Sequence, residues 1–518
     1  MSIGQSASLA HTAPRASAAF IGLALPFVQI LASALLLHLA VPQNGIAPTA
    51  WVALVPLLFA VRGRSAGKAA LIGFAFGVAS LAAMHSWFFA LPGANAINTS
   101  VLFGYLALYP AAWCAALALF MRRKLPWVVP GALLWVLIDW LRSHAGPFAL
   151  PWDPLAHSQT SDLALLQLAA LGGAPLISFV VCLANTSIAR AWHKRSGIAL
   201  LCAAGGLGAL HLYGALRVPA EGPSSGTRVA IIQPADDSEP RPARFERLRA
   251  LTRQAMRERP DLIVWPESAV DGYAFRPDVR RAVAGFAREL NAPILFGSAD
   301  FGKYAKSAGG AADGTQFKNQ AYLAFPDGAV QGPYVKRRLV PFGEYMPLEG
   351  RVEWPHWLIS RQLHGIAGRA PGIFRLKDGA ALGVVICWEN YFTALSDALV
   401  RAGASVIVQL SDDSDFGASA EPAQHNAATA LRAVETGRSW VQVSANGPSF
   451  FVDAYGRVGT QVGPIGVAGW AIAAVPVAYA RTPYERFGLS WLWLTAVAVL
   501  LQFVAVSIRS SKSVEVEQ

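Results

Sequence analysis

Long apolar runs fill the chain up to Leu216, and they restrict its fold more than any other feature. Most approach the roughly 20 residues that an α-helix needs to cross a bilayer. The runs are Ala18–Ala40, Ala47–Val61, Ala69–Leu91, Val101–Met121, Trp127–Leu141, Ala164–Ile188 and Gly197–Leu216, with a further run at Leu489–Val506. They predict a polytopic α-helical membrane domain of about seven spans in residues 1–216. Residues 485–518 are expected to form an eighth span and a short tail.

Composition and charge agree with a membrane protein. Hydrophobic residues make up 54% of the chain and charged residues 14%, whereas soluble proteins carry about 25% charged residues. The net charge of +11 fits either nucleic-acid binding or membrane topology. Basic residues cluster in alternate short loops, as at Arg62, Arg122 and Arg190, which favours topology and makes nucleic acid an unexpected partner. The positive-inside rule then places both termini in the cytoplasm and the segment after Leu216 on the opposite side.

Residues 217–484 differ in composition and predict a separate α/β domain. Charged residues become frequent there, and short β-type runs alternate with amphipathic helical stretches, which is typical of a layered α/β domain. The predicted strands are Arg228–Gln233, Leu262–Pro266, Ile294–Ser298, Gln320–Phe325, Leu382–Cys387, Ser405–Leu410, Trp440–Val443 and Phe450–Asp453. The predicted helices are Pro242–Arg257, Asp278–Leu290, Tyr391–Ala402 and Ala423–Gly437.

Reactive side chains follow three β-type segments of this domain. Glu267 follows Leu262-Ile-Val-Trp-Pro, where a partly apolar cleft would raise the pKa of a carboxylate and suit it to accept protons. Lys336 lies in Tyr334-Val-Lys336 and could stabilise an oxyanion, although it could equally belong to a basic surface patch. Glu344, in Pro-Phe-Gly-Glu, could orient that lysine or cap the next segment.

Cys387 lies between a predicted buried strand and a predicted helix. A helix amino terminus favours the thiolate form of a cysteine, whereas a purely structural cysteine more often lies inside a strand. The other cysteines, Cys114, Cys182 and Cys202, lie in apolar runs, where cysteine behaves as a small hydrophobic residue. Cys387 is therefore the candidate nucleophile.

Together these motifs resemble a known family. Trp-Pro-Glu, Lys-x-x-Leu-Val-Pro-Phe-Gly-Glu and Ile-Cys-x-Glu resemble the motifs of the nitrilase (carbon–nitrogen hydrolase) superfamily. The glutamate two residues after the cysteine, together with several spans before the domain and one after it, resembles the apolipoprotein N-acyltransferases. The resemblance covers nearly the whole chain, and Pro151-Trp152 matches a family loop. It implies an αββα sandwich in residues 217–484.

The resemblance also implies roles for individual residues. Glu267 corresponds to the general base, Lys336 to the stabiliser of the tetrahedral intermediate and Cys387 to the nucleophile. Supporting active-site positions are Glu344, Glu389, Asn319 and Trp388, the last in place of the usual tyrosine. Gln424-His425, Arg432, Glu435 and Arg438 match a late helix with an expected structural role.

One loop departs from the family pattern. The family's Ser-Asn-Asp-x-Trp-Phe-Gly is here Ser411-Asp-Asp-Ser-Asp-Phe-Gly, so that Asp412 replaces asparagine and Asp415 replaces tryptophan. Further on, the family's Thr-Asn-x-Gly is here Ser444-Ala-Asn-Gly. These changes bear on the choice of donor or acceptor more than on the chemistry.

The implied reaction is acyl transfer in two halves, with no metal or other cofactor. Cys387 takes an acyl group from a membrane phospholipid as a thioester, and the N-terminal amine of a diacylated apolipoprotein then receives it. The partners are therefore phospholipid, apolipoprotein and bilayer. The location is the bacterial inner membrane, with the catalytic domain in the periplasm.

Two further features of the sequence concern metal binding and access to the site. His425 lies on a predicted helix without a paired metal ligand. The segment Val352–Leu363, with Trp354 and Trp357, is either a lid that dips into lipid or a packed surface loop.

Two other functions remain open at this point. A membrane-bound nitrilase-like amidase, or an acyltransferase for a different amine, is suggested by the altered Asp412–Asp415 loop. A transporter or sensor with a non-catalytic nitrilase-like domain is a further possibility, which the intact Glu267, Lys336 and Cys387 set disfavours.

Overall fold

The computed structural model describes residues 14–92, 94–152, 155–222, 225–235, 241–302, 316–355, 358 and 364–515. Helices form the part before Arg217. They are α1 (Pro14–Ala40), α2 (Val55–Val61), α3 (Ala66–Met84), α4 (Ala96–Arg122), α5 (Val128–Ser143), α6 (Leu163–Leu166), α7 (Ala169–Gly172), α8 (Ala174–Lys194) and α9 (Gly197–Arg217).

Three of the predicted apolar runs do not form single helices, which corrects the sequence-based interpretation. The run Ala69–Leu91 divides into α3, which ends at Met84, and a 3₁₀ helix, Ser86–Ala90. The run Ala47–Val61 divides into a 3₁₀ helix, Ala47–Trp51, and α2, and each has a proline in its first turn. Proline suits the first turn because its missing N–H group would have no helical partner there. The run Ala164–Ile188 is interrupted before α8 at Gly173, whose φ of +74° ends the preceding turn.

Three helices in the described part of the chain are long and apolar enough to cross a membrane. They are α3, α4 and α8. Shorter apolar helical stretches lie at Ala24–Ala40, Ala47–Val61, Leu163–Gly172 and Ser490–Gln502. The predicted count of eight spans therefore stays a prediction.

The remaining elements form an α/β domain and a final helix. The strands are β1 (Thr227–Gln233), β2 (Leu262–Val264), β3 (Val270–Asp271), β4 (Ile294–Gly302), β5 (Gln316–Ala324), β6 (Val330–Val335), β7 (His364–Gly365), β8 (Gly372–Arg375), β9 (Ala381–Ile386), β10 (Val406–Ser411), β11 (Ser439–Ser444), β12 (Phe450–Val452), β13 (Val458–Gln461) and β14 (Gly469–Val475). The helices are α10 (Arg241–Ala255), α11 (Pro277–Leu290), α12 (Thr393–Arg401), α13 (Glu421–Thr436), α14 (Pro483–Phe487) and α15 (Ser490–Glu515).

The strands form two sheets. One runs in the order β14-β1-β2-β4-β5-β6, with β3 beside β4 and β7 beside β5, and the other in the order β13-β12-β11-β10-β9-β8. In the second sheet β9, β10 and β11 are parallel neighbours, so their carboxyl ends meet at one edge. That edge carries Cys387 and the altered loop after Ser411, so the sheet brings the two close together.

The two sheets pack face to face with helices outside them, as predicted for an αββα sandwich. Apolar side chains of both sheets, such as Val264 and Val408, share the central core. Helices α10 and α11 cover the outer face of the first sheet, where Trp265 and Phe286 pack together. All eight predicted strands and all four predicted helices of this domain are present. The sequence-based prediction missed six of the fourteen strands that the structure describes, namely β3, β6, β7, β8, β13 and β14. The four residues of the edge strand β13 are all exposed, so this strand lacks the apolar alternation of a half-buried strand.

Helix α13 joins the α/β domain to the membrane domain. Almost all of its residues are buried, and its apolar side chains share one core with residues of the membrane helices. At its start, Gln424 donates to the Met84 carbonyl oxygen (2.9 Å) and accepts from the Trp87 indole (3.2 Å). At its end, Glu435 accepts a hydrogen bond of 2.6 Å from the backbone N–H of Ala174 at the start of α8. Polar contacts at both ends of α13 thus fix the α/β domain on the membrane helices.

Candidate active site

Glu267 lies three residues beyond β2, against the neighbouring strand β4. Its backbone N–H donates to the Ser411 carbonyl oxygen (3.3 Å), which ties it to the end of β10. A Cβ atom at Gly297 would lie 2.7 Å from the Glu267 Cα, so this close approach requires glycine. The Glu267 side chain is buried, and its Oε1 accepts a hydrogen bond from Asn319. Its Oε2 accepts none from the described residues, which leaves that oxygen able to take a proton.

Lys336 follows β6 and is almost completely buried, so the alternative of a surface patch is wrong. Its Nζ lies 3.5 Å from Glu267 Oε1 and 2.9 Å from Glu344 Oε1. The other oxygen of Glu344 accepts from the Val340 backbone N–H (2.8 Å). Glu344 therefore orients the lysine, one of the two roles that the sequence left open.

Burial and charge together set the protonation of this group. Burial raises the pKa of Glu267 to about 7, against the opposing effect of Lys336. Burial also opposes the charge on Lys336, but Glu344, Cys387 and Glu267 outweigh it and raise the pKa of the lysine well above its usual value. Lys336 is therefore an ammonium at neutral pH, and Glu267 changes its protonation there, as a general base should.

Cys387 forms a sharp turn between β9 and a 3₁₀ helix, Cys387–Tyr391. Its φ is +55°, in the left-handed region, which costs a non-glycine residue about 1–2 kcal/mol. Burial raises the pKa of the thiol well above its usual value, and Lys336 acts in the opposite direction. The resting side chain is thus a thiol that needs a base, and the predicted thiolate at a helix start is not supported.

Glu389 links the Cys387 turn to the backbone after Lys336. Its Oε1 accepts from the backbone N–H groups of Arg337 (2.7 Å) and Arg338 (2.9 Å). Its Oε2 accepts from the Ile386 N–H (2.8 Å) and the Tyr334 hydroxyl (2.7 Å). Each of the two oxygens thus accepts two hydrogen bonds, and the side chain is fully buried. Glu389 therefore fixes the backbone after Lys336 relative to the turn at Cys387.

Trp388 strengthens the same connection. Its indole N–H donates to the Arg338 carbonyl oxygen (2.6 Å), so two consecutive side chains hold one loop. Its ring lies in an aromatic cluster that includes Trp152 and Tyr391 from the two sides of the domain junction. The ring centroids of Trp152 and Tyr391 are 4.9 Å apart. This cluster forms an apolar surface against which Cys387 packs.

A polar network behind Cys387 was not predicted from the sequence. Gln409 Nε2 lies 3.2 Å from the Cys387 carbonyl oxygen and 2.9 Å from Nε2 of His425. His425 Nδ1 is 3.2 Å from Asp413 and 3.9 Å from Glu421. A glutamine within the otherwise apolar Val-Ile-Val-Gln-Leu of β10 is the sequence signal that could have indicated this network.

The surroundings of His425 correct the view that it has no paired ligand. Asp413, Glu421 and His425 are buried, with one ligand atom from each lying within 4.8 Å of the others. That spacing would allow a shared metal ion. However, His425 and the Ser411 hydroxyl already contact Asp413 Oδ1. Burial opposes a charge on His425, but Asp413 and Glu421 outweigh it and raise the pKa of His425 to about 9. The carboxylates of Asp413 and Glu421 thus favour the protonated form of the imidazole.

The candidate lid lies only partly within the described residues. Trp357 and residues 359–363 are outside them. Trp354 is held by a hydrogen bond from its indole to the Pro347 carbonyl oxygen (2.6 Å). Its ring packs edge-on against Phe342 and Phe148, with centroids 5.1 and 6.2 Å apart. Trp354 is thus packed between the two domains, which favours the packed-loop interpretation at that residue.

Comparisons with known proteins agree with this architecture. Residues 33–187 match the apolipoprotein N-acyltransferase N-terminal domain, and residues 228–482 match the carbon–nitrogen hydrolase family. An apolipoprotein N-acyltransferase from Geobacter metallireducens is 31% identical over 92% of this chain and 94% of its own length. The chain belongs to the apolipoprotein N-acyltransferase family. A second member, from Gloeobacter violaceus, is 29% identical over 90% of this chain and 92% of its own length.

One solved structure to which the chain is similar comes from the nitrilase superfamily. A mutant of the Nesterenkonia AN1 amidase aligns with 53% of this chain and 98% of its own, at 17% identity and a TM-score of 0.38.

Proposed function

We propose that this protein transfers an acyl chain from a membrane phospholipid to the N-terminal amine of a diacylated apolipoprotein, through a thioester on Cys387. The observation that carries the proposal is the convergence of Glu267 and Lys336, with Nζ 3.5 Å from the carboxylate, whose charges both act on the pKa of the Cys387 thiol in its strained turn. The family membership of the whole chain supports the substrates. It also disfavours the alternative of a membrane-bound amidase, since the match extends through the membrane domain.

In the first half-reaction, the Cys387 thiol attacks the ester carbonyl of the phospholipid. Glu267 accepts the thiol proton, and the ammonium of Lys336 stabilises the oxyanion that forms. The carbon–oxygen ester bond breaks, and the proton passes from Glu267 to the leaving lysophospholipid alkoxide. The product is a thioester on Cys387.

In the second half-reaction, the amine of the apolipoprotein attacks the thioester carbonyl. Glu267 accepts a proton from the attacking nitrogen, an amide bond forms and the carbon–sulfur bond breaks. The proton returns to the sulfur of Cys387. Because Glu267 and Lys336 are both buried, the site limits the access of water that would hydrolyse the thioester.

The membrane setting explains the domain order. We propose that residues 1–216 and 485–518 anchor the catalytic residues 217–484 at the periplasmic face of the bacterial inner membrane, with both termini in the cytoplasm. The alternating basic loops support this orientation. Both substrates are lipids or lipid-anchored, so a site fixed at the bilayer surface meets them where they reside.

The direct test is mass spectrometry of the full-length protein after incubation with phospholipid vesicles. We expect a hydroxylamine-sensitive acyl adduct on Cys387 and release of lysophospholipid, and neither with Cys387→Ala. Addition of a diacylated lipopeptide should remove the adduct and produce a triacylated peptide. If the unmodified protein formed no adduct on Cys387, the proposal would be refuted.

A cell-based test addresses the substrates. The chain should restore triacylated lipoprotein to a strain depleted of its own N-acyltransferase, and Cys387→Ala should not. Restoration by both would favour the non-catalytic alternative.

A further inference from the structure

A cavity of about 150 Å³ lies where the α/β domain meets the membrane helices. Its walls come from α5, from the start of α8, from the segment Tyr391–Ala394 and from the residue before α15. Two arginines of the α/β domain, Arg338 and Arg432, also line this junction cavity. We infer that the junction cavity binds the phosphate group of the donor phospholipid through the guanidinium group of Arg338. The inference rests on the proposed function and assigns a subsite for the donor's head group.

Arg338 presents its charge to the junction cavity. Its side chain is exposed, and its guanidinium carbon lies 5.1 Å from the centre of the Phe392 ring. A ring attracts the cation but offers no oxygen acceptor to the five N–H donors of a guanidinium. Within the part of the chain that the structure describes, no carboxylate pairs with this side chain. The donors of Arg338 can therefore bind an anion, and two of them match the oxygens of a phosphate group.

Arg432 on α13 supplies a second, buried guanidinium group. Its Nη1 lies 2.9 Å from a carboxylate oxygen of Glu435, whereas its Nε has no hydrogen-bond acceptor among the described residues. A buried donor without an acceptor costs free energy, which an anionic oxygen in the cavity recovers. Asp139 lines the cavity as well, but its charge is balanced by an ion pair with Arg142. The charge of the cavity thus favours an anionic group.

The surroundings of the cavity identify the anion as part of a lipid. One wall is the apolar helix α5, where Trp140 packs edge-on against Trp493 of α15 with ring centroids 5.0 Å apart. Tryptophan is enriched at the level of the lipid head groups in membrane proteins. A phosphate ester of a phospholipid is the anion that lies at this level, and its acyl chains extend toward the membrane helices.

The backbone connects the junction cavity to the nucleophile. Tyr391 lines the cavity and ends the 3₁₀ helix that begins at Cys387. The backbone N–H group of Arg338 donates to Glu389 in the same short helix (2.9 Å). In a phospholipid, a single glycerol unit separates the phosphate from the two ester carbonyls. Binding of the phosphate by Arg338 therefore orients an ester carbonyl toward the reacting groups.

The experiment compares two acyl donors that differ in the phosphate. The rate of thioester formation on Cys387 of the full-length protein is measured in mixed micelles with phosphatidylethanolamine or with diacylglycerol of the same acyl chains. Phosphatidylethanolamine has no net charge, so the comparison tests the phosphate itself. For Arg338→Gln we expect a rise of about five- to thirtyfold in KM for phosphatidylethanolamine, the size expected for a charged hydrogen bond, and no change in KM for diacylglycerol.

Two further variants serve as controls. Arg338→Lys keeps the charge but loses the two-pronged geometry, so its KM for phosphatidylethanolamine should lie between the values of the unmodified protein and Arg338→Gln. Arg281→Gln removes an exposed arginine of α11, outside the cavity, and should leave both KM values unchanged. Thermal unfolding in detergent confirms that each variant is folded. Inorganic phosphate should not compete with the phospholipid, because it carries no acyl chain.

The outcomes separate the subsite from the proposed function. If the unmodified protein forms no thioester with either lipid, the proposed function fails. If it reacts with phosphatidylethanolamine and Arg338→Gln leaves that KM unaltered, the phosphate subsite is refuted. Equal losses with both lipids would show that Arg338 acts by holding the Cys387 turn, and an equal rise in Arg281→Gln would show a general effect of charge. Strong competition by inorganic phosphate would assign the cavity to the free ion, and each of these three results overturns the inference.

Discussion

Replacement of Glu389 by glutamine tests whether the connection between the Cys387 turn and the Lys336 loop controls the reaction. The carboxylate accepts four hydrogen bonds of 2.7–2.9 Å, two on each oxygen. A glutamine has one carbonyl oxygen and one NH₂ group. If its oxygen faces the N–H groups of Arg337 and Arg338, its NH₂ group faces the N–H group of Ile386, and two donors cannot bond to each other.

The expected cost follows from this count. The buried N–H group of Ile386, left without an acceptor, costs about 1–3 kcal/mol. The two retained bonds, from Arg337 and Arg338, are weaker because their acceptor is no longer charged, which costs about 1 kcal/mol for the pair. The total of about 2–4 kcal/mol corresponds to a rate loss of about 30- to 900-fold if it falls on the arrangement of thiol and ammonium, at 1.36 kcal/mol for each factor of ten.

The assay is single-turnover formation of the Cys387 thioester, followed by intact-protein mass spectrometry, with thermal unfolding measured in parallel. Glu246→Gln, the same change at an exposed glutamate of α10, serves as the control and should retain full activity. Tyr334→Phe removes one of the four hydrogen bonds to Glu389. Its rate of thioester formation should lie between the rates of Glu389→Gln and Glu246→Gln. A folded Glu389→Gln protein that forms the thioester within about threefold of the unmodified rate would refute the reasoning, because less than 1 kcal/mol would then depend on this carboxylate.

Further predictions concern the same site and its attachment to the membrane domain. The kcat/KM of the unmodified protein should rise with pH through about 7, because the pKa of Glu267 is raised to about 7 and only its ionised form accepts a proton. Asn319→Ala removes a hydrogen bond that favours the ionised carboxylate, so the acid limb of the pH–rate profile should move to higher pH. Gly297→Ala should lower the rate of thioester formation even where thermal unfolding shows that the variant is folded, because its methyl group would displace the Glu267 backbone. Lys336→Met should reduce thioester formation by at least about 100-fold, the usual effect of losing an oxyanion stabiliser, measured in the single-turnover assay. Gln424→Leu should lower the free energy of unfolding by about 1–3 kcal/mol, since it leaves the Trp87 indole without its acceptor, which denaturant unfolding in detergent would detect.

The sequence predicted eight strands of the α/β domain because these strands are largely buried and carry strong apolar patterns, whereas it missed short or exposed strands such as β3 and β13. The three reactive residues were identifiable for a related reason: each follows a β-type segment, and Cys387 is the one cysteine outside the apolar runs. Prediction was weaker in the membrane domain. Ala164–Ile188 has the hydropathy of a span, yet Gly173 and Pro175 divide it, and hydropathy alone does not register a break in backbone direction.

The sequence by itself therefore determined the apolar runs, the α/β class and the types of residue available for catalysis, since these depend on local composition and periodicity. Only the tertiary structure decided which groups meet. Glu267 and Lys336 are 69 positions apart in the chain, and their 3.5 Å separation arises because β2, β4, β5 and β6 follow one another across a single sheet. The second sheet places Cys387 and Asp412 at one edge because β9 and β10 are parallel neighbours. The hydrogen bonds of Glu389 and Gln409 could not be predicted from the sequence for the same reason. A buried polar side chain needs hydrogen-bond partners, and for these two residues distant segments of the chain supply them.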